Sequence, residues 1–387
     1  MKAKFSGSPI AHPEALARAL RIPLNDLRTI AGVASRKYSD FFVKKKDGSD
    51  RRVSGPQYDL KIIQKRINRV LFERVDFPQY LMGGLKGRDY VKNAQLHSGA
   101  AVVIALDIEN FYPRITRRRV EEIYRHVFDL TADVSKLLAD LSTKDGAVPQ
   151  GACTSSYLAN LAFYEAEPRF VAALKEQGLV YSRLIDDITV SSKRPMSKAR
   201  VEKVIEQAAK MLKAHGFDLK QPKTRVSSKS NPENFMEVTG LWLNRGHPRL
   251  KRGERIEIRR EVRACITQAG YDVFSLEYHS IHEKVSGRVS KLAQLGHAQA
   301  DVLRGKLRAV LPLYDEKETR RTKGMVAGLC ATPIGSRSTP KFIERFHQVM
   351  YRINVLARNR AALAKILRGK MRACAPLLKM DEAIHGS

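Results

Sequence analysis

The chain has 387 residues, 43% of them hydrophobic, with 70 Lys and Arg against 40 Asp and Glu, a formal charge of +30 and a pI near 10.1. That apolar content supports a real core in two or three domains or subdomains, and no apolar run approaches the ~18 residues of a membrane span. Such a basic balance excludes little but favours a polyanionic partner, nucleic acid before a membrane surface.

The charge is spread along the chain, with 29 basic and 13 acidic residues after position 240 and 41 and 27 before it, so it belongs to the folded body. Cys153, Cys265, Cys330 and Cys374 form no CxxC, and the N-terminus lacks the apolar core of a signal peptide; a reduced, cytoplasmic protein is expected. His279 and His282 have helical spacing, but without cysteines or a second histidine pair they do not make a zinc site.

In chain order, apolar spacing predicts short helices over 13–35. Phe41-Phe42-Val43 and Arg51-Arg52-Val53 flank Asp47-Gly48, a β-hairpin signal closed by Pro56. Leu60, Ile63, Ile67, Val70 and Leu71 predict a helix within 57–75. Gly83-Gly84-Leu-Lys-Gly87-Arg88 lacks the P-loop pattern and reads as a plain loop, with a phosphate cradle as the alternative. Asn93 to His97 begins a short helix or loop. A strand covers 101–107, helices cover 117–128 and 133–142, a turn covers 148–151, and one helix runs over 155–174. Residues 178–192 form a hairpin with Asp186 and Asp187 at its tip, followed by a helix over 197–215 and a second hairpin over 235–245. Beyond 254 the pattern is helical and basic. Over 341–372, Phe342, Phe346, Val349, Ile353 and Leu356 form one stripe, and Arg345, Arg352, Arg358 and Arg360 lie largely off it.

The chemistry concentrates in Leu-Ile-Asp186-Asp187-Ile-Thr-Val and in Val-Val-Ile-Ala-Leu-Asp107. Adjacent carboxylates repel and disfavour a strand, so their apolar flanks make sense if a divalent cation sits on them. Nucleotidyl transfer needs two such ions about 4 Å apart, held by carboxylates, to activate a hydroxyl and stabilise the departing pyrophosphate. Asp107, Asp186 and Asp187 on neighbouring strands supply that set.

The ordered segments resemble the palm of a reverse transcriptase. Asp107-Ile-Glu-Asn-Phe-Tyr112 resembles motif A, Gln150-Gly151 with the helix to Asn160 motif B, Ile185-Asp186-Asp187 motif C, and Gly216 to Arg225 motif D. Asn93-Ala-Gln-Leu-His97 and Val238-Thr239-Gly240 are similar to the NAxxH and VTG signatures of retron reverse transcriptases. The resemblance is close over 38–245 and loose beyond.

It implies an α+β right-hand polymerase fold: an N-terminal helical segment at 1–37, fingers at 38–100 with the NAxxH region, a palm with an antiparallel sheet at 101–245, and a basic helical thumb with a C-terminal extension at 246–387. Asp107, Asp186 and Asp187 would be catalytic and, with Ile108, would hold two Mg²⁺ ions, Mn²⁺ being a possible substitute. Arg51 would neutralise the triphosphate, with Arg52 as a close competitor. Tyr112 would bar a ribose 2′-OH, Gln150 and Gly151 would meet the nucleotide and template, and Lys223 would act on the pyrophosphate. Val238, Thr239, Gly240 and Leu241 would form the primer grip. Asn93 and His97 would recognise RNA or support the palm. One departure stands out: the family usually has a tyrosine where this chain has Leu184, which spares the metal chemistry but bears on placement of the primer end.

The resemblance implies an RNA-directed DNA polymerase using dNTPs. It would bind a cognate structured noncoding RNA, prime from an RNA 2′-OH, make single-stranded DNA joined to that RNA, and work with an effector protein in antiphage defence. The rival readings are another bacterial defence or group II-like reverse transcriptase, and a non-catalytic RNA-binding scaffold with a vestigial palm.

Overall fold

The computed structural model describes residues 2–45, 48–231 and 235–385. The chain divides after Arg249 into two compact units.

The strands of the first unit are β1 (Lys4–Phe5), β2 (Tyr38–Lys44), β3 (Asp50–Pro56), β4 (Val75–Asp76), β5 (Val102–Asp107), β6 (Leu179–Leu184), β7 (Asp187–Ser192), β8 (Arg225–Ser228), β9 (Glu237–Val238) and β10 (Leu241–Trp242). β2 and β3 pair antiparallel from Tyr38 opposite Pro56 to Lys44 opposite Asp50, as the hairpin signal predicts. Asp47 of the expected turn lies outside the described residues.

The central sheet has the order β6-β7-β5-β8, all antiparallel. β5 is Val-Val-Ile-Ala-Leu-Asp, apolar at consecutive positions rather than alternating: Val102, Ile104 and Leu106 join the core, while Val103 and Ala105 on the other face line a cleft. One core binds the sheet to the helices Tyr58–Val70, Arg117–Val127, Ala132–Ser142, Ser155–Leu161 and Lys198–Lys213. Phe111, Phe163 and Phe217 form its aromatic centre, with ring centroids 4.9 to 5.9 Å apart. Gln64 is fully buried within it. It donates to the Tyr38 hydroxyl and the Leu141 carbonyl and accepts from the Cys153 amide, tying the first hairpin to the 148–154 turn.

Two expectations need correction. The single helix over 155–174 is two helices, Ser155–Leu161 and Glu167–Glu176. Pro168 sits in the first turn of the second, where its missing amide is harmless; further inside a continuous helix it would break the ladder. The NAxxH segment does not begin a helix but ends one. The helix Tyr90–Leu96 starts earlier because Asp89 caps it, its carboxylate accepting from the Val91 and Lys92 amides at 2.8 Å.

The second unit is helical from Arg252 onward, as the pattern beyond 254 predicts. The stretch 341–372 is two helices, Pro340–Leu356 and Ala361–Ala373. The apolar stripe is buried at Phe342, Val349, Ile353 and Leu356, as expected. Its arginines are mostly engaged within the unit. Arg352 is paired with Glu318, Arg358 donates to the Pro312 carbonyl at 2.6 Å, and Arg360 pairs with Glu316 at 2.8 Å. Of the four, Arg345 is the one that stays exposed with no such bond among the described residues. The Nε2 atoms of His279 and His282 bond the Leu313 and Leu307 carbonyls, at 2.8 and 3.1 Å. No helix among the described residues is long and apolar enough to cross a membrane.

Candidate active site

The register of the central sheet places Asp107, the last residue of β5, directly opposite Asp187, the first of β7. Opposed residues of an antiparallel pair share a face, so the two carboxylates lie side by side. Asp186 sits in the two-residue link between β6 and β7, and its carbonyl accepts from the Ile108 amide at 3.0 Å. Ile108 itself is buried, so the one donor it can offer a metal is its backbone oxygen.

The three acids perturb one another. Burial raises the Asp186 carboxyl above its ordinary value, and the Asp107 charge adds to the shift. Asp187 is pushed up to about 6, first by the desolvation of its carboxyl and then by Asp186 and Asp107. Lys223, at the end of the short helix Gln221–Lys223, places Nζ 2.8 Å from Asp107 Oδ2, and that bond raises its own pKa. Mutual repulsion among the carboxylates, with a cation already drawn to one of them, fits a site for added positive charge. An all-oxygen donor set suits a hard divalent ion. Among the described residues no cluster of three or more His, Cys, Asp or Glu is closed into a metal-holding geometry, and Lys223 occupies one carboxylate oxygen. When bound, divalent ions in such a site activate the attacking hydroxyl and offset the charge on the leaving phosphates.

The surrounding candidates fall around these carboxylates. In β3, Arg51 and Arg52 point to opposite faces. Arg52 is held at 2.5 Å by Asp40, while the Arg51 charge reaches Asp186 and Asp187 and pulls both carboxyls down. The two arginines thus differ in surroundings, Arg52 being tied to Asp40. Tyr112, in the helical turn Phe111–Arg114, is half-buried. Its hydroxyl is pushed up to about 12 by burial and then by Asp186. The Gln150 carbonyl accepts from the Ser54 amide at 2.8 Å, docking the 148–151 turn on β3. Gly151 has φ 114°, and a β-carbon there would stand 2.7 Å from Val53 Cγ1 and 3.1 Å from the Ser54 carbonyl, so no other residue fits without displacing the hairpin.

Val238, Thr239, Gly240 and Leu241 form the tight link between β9 and β10, with φ of 48° at Thr239 and 83° at Gly240, the pair of positive values that a two-residue hairpin turn requires. A cleft of about 500 Å³ runs from Asp107, Asp187 and Lys223 past Leu184 to Thr239 and Gly240. Leu184, which replaces the family's tyrosine, therefore lines the space between carboxylates and hairpin. The Thr239 hydroxyl donates to the Tyr90 carbonyl at 3.1 Å, joining the hairpin to the helix that carries Asn93 and His97.

Asn93 and His97 are both buried. The His97 ring is bonded not to backbone but to two hydroxyls, Ser191 and Ser182, each at 2.7 Å, on β7 and β6. Burial depresses its pKa to about 4, so the folded state holds it neutral. Between pH ~6.5 and about 4 the unfolded chain takes up a proton at His97 that the folded chain refuses, so the His97 contribution to stability falls as pH drops through that window, by at most ~1.4 kcal/mol per pH unit. Asp187, pushed up to about 6, contributes with the opposite sign over much of the same range. His97→Gln is expected to change the slope of stability against pH there by the His97 share, read from urea midpoints of variant and wild type; an unchanged slope would show that His97 contributes none of it.

Sequence reading missed Arg183 and Glu167. Both are fully buried and paired through Nε to Oε1 at 2.6 Å and Nη2 to Oε2 at 2.9 Å, and the Tyr181 hydroxyl also donates to Glu167 at 2.6 Å. The signal was an arginine at an inward position of an apolar strand, a place where a charge survives only with a partner.

Residues 43–243, just over half of the chain, match the family model described as Reverse transcriptase (RNA-dependent DNA polymerase). The protein is thus an RNA-directed DNA polymerase of α+β right-hand architecture, and divalent-metal dependence comes with that class. Retron Se72 reverse transcriptase of Salmonella heidelberg is 36% identical over 380 residues, 97% of this chain and 99% of its own. Retron Ec48 reverse transcriptase of Escherichia coli is 29% identical over 376 residues, 93% and 91% of the two chains. The chain belongs to the retron-type reverse transcriptases. Among solved structures, apo telomerase from Candida tropicalis aligns over 90% of this chain and 67% of its own at 11% identity and a TM-score of 0.43, too distant a likeness to carry an argument.

Proposed function

We propose that this reverse transcriptase binds a structured noncoding RNA, primes from a 2′-OH of that RNA, and extends single-stranded DNA that stays joined to it. Asp107, Asp186 and Asp187 hold the divalent ions, Mg²⁺ with Mn²⁺ as a substitute, with the Ile108 carbonyl beside them. Arg51, Gln150, Gly151 and Lys223 receive the dNTP, and Val238 to Leu241 grip the primer end. Fingers occupy 38–100, the palm 101–245 and the basic thumb 246–387, behind a helical segment at 1–37. In the cytoplasm the RNA–DNA–protein complex partners an effector protein in antiphage defence.

The observation that carries this reading is the bond from Thr239 to the Tyr90 carbonyl. It brings the two segments that mark the retron type, VTG and NAxxH, into one assembly at the edge of the cleft. A net charge of +30 suits a protein that holds a folded RNA, which is read largely through phosphates, 2′-hydroxyls and shape.

The test is to express the chain with its native flanking DNA and to run the copurifying nucleic acid untreated, RNase-treated and debranched. A discrete DNA that shifts on RNase or debranching is the expected product. DNA without attached RNA would replace this reading with that of another bacterial reverse transcriptase, and RNA without DNA would point to a scaffold.

Tyr112 carries a second expectation. Its hydroxyl is within reach of the Asp186 charge, which raises its pKa, and we place it where it would meet a ribose 2′-OH. Tyr112→Ala is expected to raise incorporation of rNTP relative to dNTP by ~10- to 100-fold, the scale on which a pocket discriminates by fit. Single-nucleotide incorporation with each substrate measures it, and an unchanged ratio would reassign Tyr112 to packing.

A further inference from the structure

The link that carries Asp186 is strained. Ile185, a β-branched residue, stands in the left-handed region at φ 60°, which such side chains rarely adopt. Its neighbours hold it there from two sides. From below, Arg183 Nη1 donates to the Ile185 carbonyl at 2.9 Å. The same guanidinium donates to the carbonyls of Ala159 at 3.1 Å and Asn160 at 2.9 Å, in the helix Ser155–Leu161, and is fixed by Glu167. From the side, the Gly83 loop closes on Ile185. A β-carbon at Gly83 would stand 2.5 Å from Ile185 Cγ1 and 2.8 Å from the Ile185 amide nitrogen. That loop is pinned in turn, since Asn160 Nδ2 donates to the Gly83 carbonyl at 2.7 Å and the Met82 amide donates to the Arg183 carbonyl at 2.8 Å. A β-carbon at Gly84 would likewise stand 2.5 Å from Ser156 Cβ. Gly83 and Gly84 therefore do not cradle a phosphate; protein already fills the space a β-carbon would take.

We propose that Gly83, Asn160 and Arg183 form a clamp that sets the Ile185 turn and thereby aims the Asp186 carboxylate. They are positioning residues. The motif B helix supplies Asn160 and two carbonyls, the glycine loop supplies the slot, and the strand before the turn supplies the guanidinium. Placement of Asp186 is thus decided by three segments far apart in sequence. The inference rests on the reading of Asp186 as a metal-holding carboxylate, and it names what holds that carboxylate in place.

Arg183 is a poor first variant, because its loss strands Glu167 in the core and threatens the fold. Gly83→Ala is better. In the full chain, on a supplied RNA template with a DNA primer, we expect kcat to fall by ~10- to 100-fold with KM for dNTP held within about twofold, since a displacement near 1 Å costs that much when it misplaces a reacting group. Adding Ile185→Gly removes the overlapping Cγ1 and Cδ1 and leaves only the contact with the amide nitrogen, to which a glycine turn yields at little cost, so the double variant is expected to regain part of the lost kcat, at least severalfold. Thermal unfolding of both is measured alongside. Wild-type kcat in Gly83→Ala would overturn the clamp, as would a loss that follows the melting temperature and is not rescued by Ile185→Gly. Asp186→Asn in the same assay separates the two levels. If it is inactive while Gly83→Ala is normal, the clamp alone fails; if Asp186→Asn is fully active, the metal reading fails and the clamp has no carboxylate to aim.

Discussion

Asp186→Asn is expected to lower templated DNA synthesis by on the order of 10³-fold or more, and Asp107→Asn to do the same. The estimate follows from the several kcal/mol of charge stabilisation that a bound divalent ion supplies to phosphoryl chemistry, at about 1.4 kcal/mol per tenfold in rate. The fold should tolerate the change. Burial and mutual repulsion already hold the Asp186 and Asp187 carboxyls above their ordinary values, so neutralising one relieves a cost in the ion-free protein. Without Mg²⁺ the variant is therefore expected to melt no lower than the wild type. With Mg²⁺ the wild type should gain stability by linkage, and the variant should gain little. Primer extension and melting curves with and without Mg²⁺ read both effects. Wild-type synthesis in either variant would remove these carboxylates from the chemistry.

The second large effect concerns the buried pair. Arg183→Met leaves Glu167 charged, fully buried and short of its partner, and a broken pair of this kind costs ~3–5 kcal/mol. Burial lowers the pKa of the Arg183 guanidinium, and the adjacent Glu167 carboxylate more than offsets that, so the net shift is upward. For a unit of this size the loss corresponds to a drop of roughly 6–20 °C in melting temperature. Glu167→Leu together with Arg183→Met removes both charges and is expected to recover much of the stability, because replacing a whole buried pair by apolar groups is often neutral. Synthesis should not recover with it, since the Ile185 carbonyl then still lacks its donor. A double variant that is both stable and fully active would show that Arg183 serves the fold only.

Much of the site was legible in the chain because its chemistry needs fixed residue types at fixed places along strands. An acid ending an apolar run, two acids between apolar flanks, and Thr-Gly between short β-prone runs each imply a local conformation, and β5, the β6–β7 link and the β9–β10 turn have it. Less legible were features that depend on side-chain partners. Arg51 and Arg52 read alike until the pairing of β2 with β3 puts one on Asp40 and the other beside the carboxylates. His97 could have faced RNA; two serine hydroxyls from different strands show that it faces the sheet. The off-stripe arginines of the second unit could have been a free basic face, but Glu316, Glu318 and the Pro312 carbonyl engage three of them.

By itself the sequence determined the acidic triad, the order of the palm segments, the basic character of the protein and the conformations that glycine, proline and apolar spacing dictate locally. Only the tertiary structure decided that Arg52 pairs with Asp40, that Asn93 and His97 lie in the interior, and that Gly83, Asn160 and Arg183 converge on the turn before Asp186. The reason is physical. Backbone preference and hydrophobic period act between neighbours a few residues apart, whereas burial, pairing of charges and the space left for a β-carbon are set by segments as distant as Gly83 and Ile185, which meet only when the core closes.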